Sequence, residues 1–288
     1  SGSSIAGGSG NDTLRFSAGV NNNAIVSGDT GSDLLVFSST VATAGVYGGE
    51  GGDSMVFAGA LSASTIDFGA GDDSVTFSVA MTNNTIQGGA GADTFVFNSA
   101  VSGNYIYGGS GNDTLRFSAG VNNNAVVSAD TGSDLLVFSS TLATASIQGG
   151  QGGDTLTFAG AISNSTIDFG AGADTVSFSA VTSNTTINGG SVTSQTIGFG
   201  SSADLLSMDG AFGAGTISLD AGHDTLVFLG SGTLASTTVN GGGGADCVVF
   251  SCDFLNSSWV SFCFSVITSL ATSISSAKGS KSDSGVPP

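Results

Sequence analysis

Positive charge is nearly absent from this chain. Only four of its 288 residues are Lys or Arg, against 22 Asp or Glu, and the formal net charge is −18. A protein that binds the phosphate backbone of nucleic acids needs a basic surface, which this composition excludes. The charge balance favours cationic partners instead, metal ions among them.

Residues that usually carry catalysis are scarce as well. His223 is the only His, and no Cys precedes Cys247. No paired CxxC spacing with a His partner occurs, so neither a disulfide framework nor a zinc site is predicted. One His at a variable position does not support a Ser/His/Asp triad, and no two carboxylates are placed to face each other across a cleft, as glycosidases require. We expect a protein without enzymatic activity.

Strong helix formers and long apolar runs are also missing. Lys is rare and Glu50 is the only Glu, which removes the usual surface residues of helices. Residues 254–274 form the most apolar stretch, but Ser, Thr and Asn interrupt it, so it makes a poor transmembrane helix. The chain enters its repeat without a secretory leader, and we expect a processed or truncated product. A chain this poor in Cys and Lys fits an exported bacterial protein, located outside the cell at its surface.

An internal repeat is the main feature that is present. An Asp recurs every 20 or 21 residues, apart from one interval of 30 and one of 22. Phe follows each Asp by four positions with the single exception of Met208, an apolar residue follows by two, and Ile or Val precedes by seven. The recurring residues are Asp12, Asp33, Asp53, Asp73, Asp93, Asp113, Asp134, Asp154, Asp174, Asp204, Asp224 and Asp246.

These columns predict strands with one buried face. The second and fourth positions after each Asp alternate with smaller or polar residues, the period expected of a half-buried strand. A single coil cannot bury its apolar residues alone, so its stability must come from stacking on its neighbours. We therefore predict an all-β fold, a right-handed parallel β-solenoid (β-roll or β-helix) of about 12 coils with roughly 20 residues each.

The repeats occupy residues 1–253, and a longer repeat is superimposed on them. The five-coil block 7–78 recurs at 108–179, an offset of 101 residues. The string GGSGNDTLRFSAGVNNNA is identical in both copies. Because coil stacking does not require such identity, we interpret it as a recent duplication.

Three segments depart from the regular pattern. Asp174 and Asp204 are 30 residues apart, ten more than usual, which predicts a surface loop near 188–197 that leaves the stack intact. Residues 254–274 retain strand-like alternation and are expected to cap the last coil or to mediate assembly. The polar tail 275–288 is expected to be disordered.

Glycine-rich turns precede the repeated Asp residues. Six coils carry a complete GGxGxD, and the first continues as GGSGNDTLRF from Gly7. This pattern resembles the nonapeptide of the RTX family. In that family the turns of successive coils bind Ca²⁺ through Asp carboxylates and backbone carbonyls, so the resemblance implies Ca²⁺ as a cofactor. The metal-binding residues it implies are Asp12, Asp33, Asp53, Asp73, Asp93, Asp113, Asp134, Asp154, Asp174, Asp246, Gly8, Gly10, Gly49, Gly51, Gly89, Gly91, Gly109, Gly111, Gly150 and Gly152.

One feature differs from the family pattern. Typical RTX β-rolls carry the nonapeptide on both sides of a shorter coil, whereas this chain carries it once per 20 residues or so. The other half of the coil reads like SAGVNNNAI. We therefore expect at most one edge of the solenoid to hold a row of calcium ions.

Two interpretations of the Asp column remain open. Stacking places its carboxylates about 4.8 Å apart, where each like-charge pair costs about 1 kcal/mol in water, and a hard cation with oxygen ligands would relieve that repulsion. Alternatively, each Asp caps N–H groups of the turn, and the glycines only supply positive φ. Asp93 with Asp113 is the most regular pair and the best single candidate site.

The leading functional hypothesis is an extracellular structural protein, a subunit of a filament, surface layer or matrix, stabilised by Ca²⁺. The alternative is a calcium-dependent repeat module of a larger secreted RTX-like adhesin or exported enzyme. We expect the main partner to be the chain itself, as a head-to-tail homopolymer, with cell-surface polysaccharide as a second candidate.

A Thr directly after several of the Asp residues is a feature that an ice-binding face could share. The column two positions further on mixes Arg15, Val36 and Thr76, so no flat array of Thr side chains is predicted.

Overall fold

A computed structural model describes residues 2–178, 182–183, 186–188, 195–198, 205–209, 215–219, 221–229, 237–250, 260–265 and 270–271. All regular structure in these residues is β-strand. No helix long and apolar enough to cross a membrane occurs in this described part of the chain.

Most coils contribute one strand to each of three sheets. Sheet A contains, in spatial order, β1 (Ser4–Ser9), β3 (Ile25–Thr30), β6 (Gly45–Glu50), β9 (Thr65–Ala70), β12 (Thr85–Ala90), β15 (Tyr105–Ser110), β18 (Val126–Thr131), β21 (Ser146–Gln148), β24 (Thr166–Asp168), β27 (Thr186–Asn188), β29 (Leu205–Asp209), β32 (Thr225–Leu229), β34 (Gly243–Phe250) and β31 (Ala221–Gly222), with β35 (Val260–Ser265) also on β34. Sheet B contains β2 (Thr13–Phe16), β4 (Leu34–Phe37), β7 (Ser54–Phe57), β10 (Ser74–Phe77), β13 (Thr94–Phe97), β16 (Thr114–Phe117), β19 (Leu135–Phe138), β22 (Thr155–Phe158), β25 (Thr175–Phe178), β28 (Gln195–Gly198), β30 (Gly215–Ser218), β33 (Thr237–Asn240) and β36 (Leu270–Ala271). Sheet C contains the two-residue strands β5 (Val41–Ala42), β8 (Leu61–Ser62), β11 (Met81–Thr82), β14 (Val101–Ser102), β17 (Val121–Asn122), β20 (Leu142–Ala143), β23 (Ile162–Ser163) and β26 (Thr182–Ser183).

Equivalent residues of successive coils stack directly on one another. Phe77 pairs with Phe97, and Phe97 with Phe117, in parallel strands of sheet B. The same repeat-to-repeat register holds in sheets A and C. The predicted all-β parallel solenoid is confirmed, with about ten turns rather than the twelve predicted.

The core is built from the predicted apolar columns. The Phe residues four positions after each Asp, from Phe16 to Phe158, stack with ring centroids 4.6–5.3 Å apart. Ile86 and Phe95 are fully buried on either side of the same coil. Such ladders bury each apolar face against an identical neighbour, which is why an isolated coil would not be stable.

The ten extra residues after Asp174 change which half of the repeat lies in which sheet. Up to this point, the strand carrying the Ile or Val seven positions before each Asp lies in sheet A. Beyond it, the corresponding strand β28, with Ile197, pairs with β25 in sheet B. Ten residues are half of a 20-residue coil, and both halves present alternating apolar residues, so either half can continue either sheet. The coils continue to stack across this insertion, and the exchange of halves between the sheets is a feature that was not predicted. The predicted loop near 188–197 falls largely on residues outside those described.

The C-terminal segment pairs with the last coils in the opposite direction. Strand β35 runs antiparallel to β34, and β36 runs antiparallel to β33. The expectation that 254–274 caps the last coil or mediates assembly stays a prediction, since only 260–265 and 270–271 of this segment are described. The predicted disordered tail 275–288 lies outside the described residues.

Candidate metal-binding edge

The Asp column lies where sheet A turns into sheet B. Each Asp precedes a strand of sheet B and follows the glycine turn that ends a strand of sheet A. Stacking aligns nine of the predicted Asp residues, Asp12 to Asp174, along one edge of the solenoid. Within this row Asp12 is partly exposed, whereas Asp33, Asp53, Asp73, Asp93, Asp113, Asp134 and Asp154 are each at most 3% exposed.

One oxygen of each carboxylate caps a backbone N–H of the neighbouring coil. The N–H of Asp73 donates to Oδ1 of Asp93 at 2.9 Å, and the N–H of Asp93 donates to Oδ1 of Asp113 at 2.8 Å. The same bond, at 2.6–2.9 Å, links each Asp to the next from Asp12 to Asp174. The capping interpretation is therefore correct for Oδ1, although the donor belongs to the adjacent coil rather than to the same turn.

The other oxygen has no such partner. Oδ2 is buried without a hydrogen bond in Asp12, Asp33, Asp53, Asp73, Asp93, Asp113, Asp134 and Asp154. A buried polar atom without a partner typically costs about 1–3 kcal/mol, and more when the group is charged. Protonation of the carboxyl groups or a bound cation would remove this cost.

The pKa values along the row reflect this cost. Burial raises the pKa of Asp73 and Asp134 to about 7, and neighbouring Asp charges add to that effect. Burial likewise raises the pKa of Asp93 and Asp154 to about 6. The bond from the backbone N–H lowers each value but does not reverse the shift.

The glycine turns bring backbone carbonyls close to these carboxylates. Gly91 has a φ of 134°, and a Cβ there would collide with the carbonyl oxygen of Gly71 in the coil below. A Cβ on Gly88 would collide with both Oδ2 of Asp93 and the carbonyl oxygen of Gly108. All ten predicted glycines have φ between 104° and 136°: Gly8, Gly10, Gly49, Gly51, Gly89, Gly91, Gly109, Gly111, Gly150 and Gly152.

The donor chemistry of this edge fits Ca²⁺. Calcium takes carboxylate and backbone carbonyl oxygens, and the edge offers buried carboxylate oxygens without partners beside turn carbonyls. Within the described residues no cluster of three or more His, Cys, Asp or Glu side chains occurs. A metal ion here would therefore be held by Asp residues, such as Asp93 and Asp113, together with turn carbonyls.

The structure separates Asp246 from the other predicted ligands. The N–H of Asp224 donates to Oδ1 of Asp246 at 3.1 Å, so these two residues form a column of their own. The turn that ends in Asp224 leads from β30 in sheet B to β32 in sheet A, the reverse of the turns before Asp174. Asp columns thus occupy two edges of the solenoid. The expectation that at most one edge holds a row of calcium ions stays a prediction. The 30-residue interval was the sequence signal for this exchange.

A second buried polar position of the coil, occupied by Asn84 and Asn104 and called the Asn corner below, was not predicted. The Nδ2 of Asn84 donates to the carbonyl of Leu61 at 3.0 Å and to Oδ1 of Asn104 at 2.9 Å. Oδ1 of Asn84 accepts the N–H of Ser64 at 3.0 Å. Both Asn side chains are fully buried. The sequence signal was the recurrence of Asn eleven positions after Asp73 and Asp93.

Comparison with known proteins supports the fold. No family model and no curated protein matches the chain. Among solved structures, it is similar to the crystal structure of a hyperactive, Ca²⁺-dependent, β-helical antifreeze protein from an Antarctic bacterium, with a TM-score of 0.55 and 21% identity over 82% of each chain. At this level of identity the two proteins share a β-helical fold.

Proposed function

We propose that this chain is a calcium-stabilised structural repeat protein of the cell exterior, without enzymatic activity. The observation that carries the proposal is the row of buried Asp carboxylates whose Oδ2 atoms have no hydrogen-bond partner. Calcium bound along this row would neutralise charges that burial otherwise makes costly. Millimolar calcium outside cells matches the affinity range of extracellular calcium-binding modules, about 10⁻⁴–10⁻³ M.

Net charge supports the same proposal. With a formal charge of −18 on 288 residues, an extended stack repels itself. Cations bound along its edges would reduce this repulsion within a chain and between chains. The Ca²⁺ dependence of the β-helical antifreeze protein of similar fold is consistent with this.

Self-association along the solenoid axis is part of the proposal. The coil 7–24 is identical in sequence to the coil 108–125, which stacks on the coil containing Thr85–Ala90 and Thr94–Phe97. The first coil is therefore chemically suited to stack on another coil in the same way. That partner would be a second copy in a filament, or a preceding coil if the chain is a module of a larger adhesin or exported enzyme.

Ice binding is not part of the proposal. The outward columns of sheet B mix residue types, since Thr76, Val96 and Arg116 follow one another in register. A charged side chain and β-branched apolar side chains in one column do not make a uniform flat surface.

Thermal melting with and without calcium tests the metal part of the proposal. Millimolar Ca²⁺ should raise the Tm by several degrees over excess chelator, because a ligand that binds only the folded state stabilises it. Calorimetry should detect several sites, and Mg²⁺ should substitute poorly because it demands octahedral geometry and retains its waters. Absence of both a binding heat and a chelator effect would leave capping as the only role of the Asp row.

Electron microscopy and light scattering test the structural part. Filaments or sheets that grow with Ca²⁺ and with protein concentration are the expected result. A monomer that persists across both ranges would favour the repeat-module alternative.

A further inference from the structure

The outward face of sheet A carries a second column of interest, adjacent to the glycine turns that precede the Asp row. Tyr47, Asp67, Gln87 and Tyr107 lie in consecutive coils and are direct partners in the parallel register. They alternate with buried Ile and Val residues, so their side chains point away from the core. At about 4.8 Å per coil, the two Tyr residues are about 14 Å apart.

Part of this column borders a concavity of about 400 Å³. Gly89 and Gly109 contribute no side chains and leave backbone as its floor. Its lining residues are Asp67, Gln87, Gly89, Tyr107, Gly109 and Asp130. The combination of an aromatic ring, an amide and carboxylates over a backbone floor is typical of a site that binds a polar ligand with some apolar surface.

The aromatic residues of this face are accessible to a ligand. Tyr47 is 36% exposed and Tyr105, beside the same column, is 48% exposed. Exposed aromatic side chains of this kind are enriched at binding sites. Neither of the two Arg residues of the chain lies on sheet A, since Arg15 and Arg116 belong to β2 and β16 of sheet B.

The duplicated block shows that the column is not dictated by the fold. The position of Tyr47 is occupied in the second copy by Gln148, whereas Asp67 recurs as Asp168. Substitutions between the copies at buried positions are conservative, as for Val46 and Ile147. An aromatic residue at position 47 is therefore not required by the fold.

We propose that one groove, the concavity lined by Asp67, Gln87 and Tyr107 together with Tyr47 in the next coil of the same column, binds an extended, uncharged glycan whose chain runs along the solenoid axis. Tyr rings pack against the C–H faces of sugar rings. The carboxylate of Asp67 can accept hydrogen bonds from sugar hydroxyls, and the amide of Gln87 can both donate and accept hydrogen bonds. The spacing of coils is close to the spacing of sugars in an extended pyranose chain, so successive coils can meet successive sugars.

The charges that line the groove distinguish between anionic, cationic and neutral ligands. Anionic polysaccharides are disfavoured because the groove offers Asp67 and Asp130 but no basic residue. A cationic peptide would suit the carboxylates, but a neutral glycan also uses Gln87 and the spaced Tyr rings. Because Gly89 and Gly109 also belong to the predicted metal-binding turns, native chain and variants are compared at the same Ca²⁺ concentration.

Binding measurements at saturating Ca²⁺ test this proposal. Neutral β-linked and α-linked polysaccharides, an acidic polysaccharide and a Lys-rich peptide are compared by affinity electrophoresis and calorimetry. The double variant Y47Q/Y107Q should weaken binding of the neutral glycan by about tenfold or more, since each lost aromatic contact contributes a several-fold effect. Gln148 occupies the position of Tyr47 in the second copy, and Gln87 is the register neighbour of Tyr107. Both replacements are therefore expected to be compatible with folding, and an unchanged Tm verifies this.

The matched control is Q148A on the same face of the second copy, which should leave glycan binding unchanged. The proposal is overturned if no neutral polysaccharide binds the native chain, or if Y47Q/Y107Q binds it as tightly as the native chain. Binding of only the Lys-rich peptide would identify the groove as a site for cationic peptides instead.

Discussion

Two buried positions of the coil, the Asp corner (the row from Asp12 to Asp174) and the Asn corner (Asn84 and Asn104), accept a backbone N–H of the neighbouring coil with different side chains. At the Asp corner, Oδ1 of Asp93 accepts the backbone N–H of Asp73 from the coil below. At the Asn corner, Oδ1 of Asn104 accepts the backbone N–H of Asn84 in the same way. Both corners thus cap an N–H group that would otherwise be buried without a partner.

The corners differ in what they do with the remaining polar atom. The Nδ2 of Asn84 donates to the carbonyl of Leu61, whereas Oδ2 of Asp93 has no hydrogen-bond partner. The Asn corner also varies along the stack, since Ser64 and Ala44 occupy the equivalent position in preceding coils. Capping therefore tolerates uncharged residues and does not require a carboxylate. The persistence of Asp at the other corner implies a second role, which cation binding would supply.

Disrupting the core beneath both corners should have the largest effect. Phe95 and Phe97 are fully buried, and replacing both with Asp places one unpaired charge in each of two apolar columns. Each buried charge costs several kcal/mol, against a total stability of about 5–15 kcal/mol for a typical domain, so folding should be lost. Circular dichroism and thermal melting provide the measurement. V96T serves as the control because Thr76 occupies that position naturally, and a cooperative melt of the double variant would contradict the assignment of the core columns.

Replacing Asn84 with Asp, which makes the Asn corner resemble the Asp corner, should cause the next largest loss of stability. In N84D a carboxylate oxygen replaces the amide that donates to the carbonyl of Leu61, so two acceptors face each other. We expect a loss of about 2–4 kcal/mol in the free energy of unfolding at pH 8, measured by denaturant titration. N84S copies Ser64 of the preceding coil and should cost only about 1 kcal/mol. Equal stability of N84D and the native chain would mean that the two corners are interchangeable.

Replacing Asp93 and Asp113 with Asn, which makes the Asp corner resemble the Asn corner, should have a smaller effect. The direction of the change in Tm should depend on whether calcium is present. D93N/D113N retains the capping oxygens and removes two charges. In chelator its Tm should equal or exceed that of the native chain, and in millimolar Ca²⁺ it should be lower, because the calcium-dependent increase shrinks. D168N, outside the row on sheet A, is the control and should retain the full calcium response. A response of native size in D93N/D113N would exclude this pair from calcium binding.

A change of pH perturbs the Asp corner without altering any residue. The pKa values of Asp73 and Asp134 are raised to about 7 from an ordinary value of 3.8. The folded chain therefore binds more protons than the unfolded chain between these values, so calcium-free stability should fall as pH rises from 4 to 7 and level off above. Denaturant titrations in chelator at successive pH values measure this slope. Saturating Ca²⁺ should flatten it, and a calcium-free stability that rises over this range would contradict the buried state of the row.

Much of the fold could be predicted because the repeat makes each coil bury a copy of itself. The alternation around Phe95 and Phe97 predicted inward-facing residues, and their equivalents stack in register. The column of Asp residues could also be predicted, since a common spacing places equivalent residues in line. The Asn corner was harder to find, because Asn84, Ser64 and Ala44 share a position but not a side-chain type.

The sequence by itself determined the coil length, the apolar columns and the position of the glycine turns, because each depends on local alternation and on residues that tolerate positive φ. Only the tertiary structure decided that Oδ1 of each Asp caps the next coil while Oδ2 stays buried without a partner, since these contacts join residues 20 or 21 positions apart. It also decided that the ten residues added before Asp204 move the later Asp turns to another edge. The reason is physical: two halves of a coil with the same apolar alternation are equivalent locally, and only stacking against the preceding coil determines which sheet each half joins.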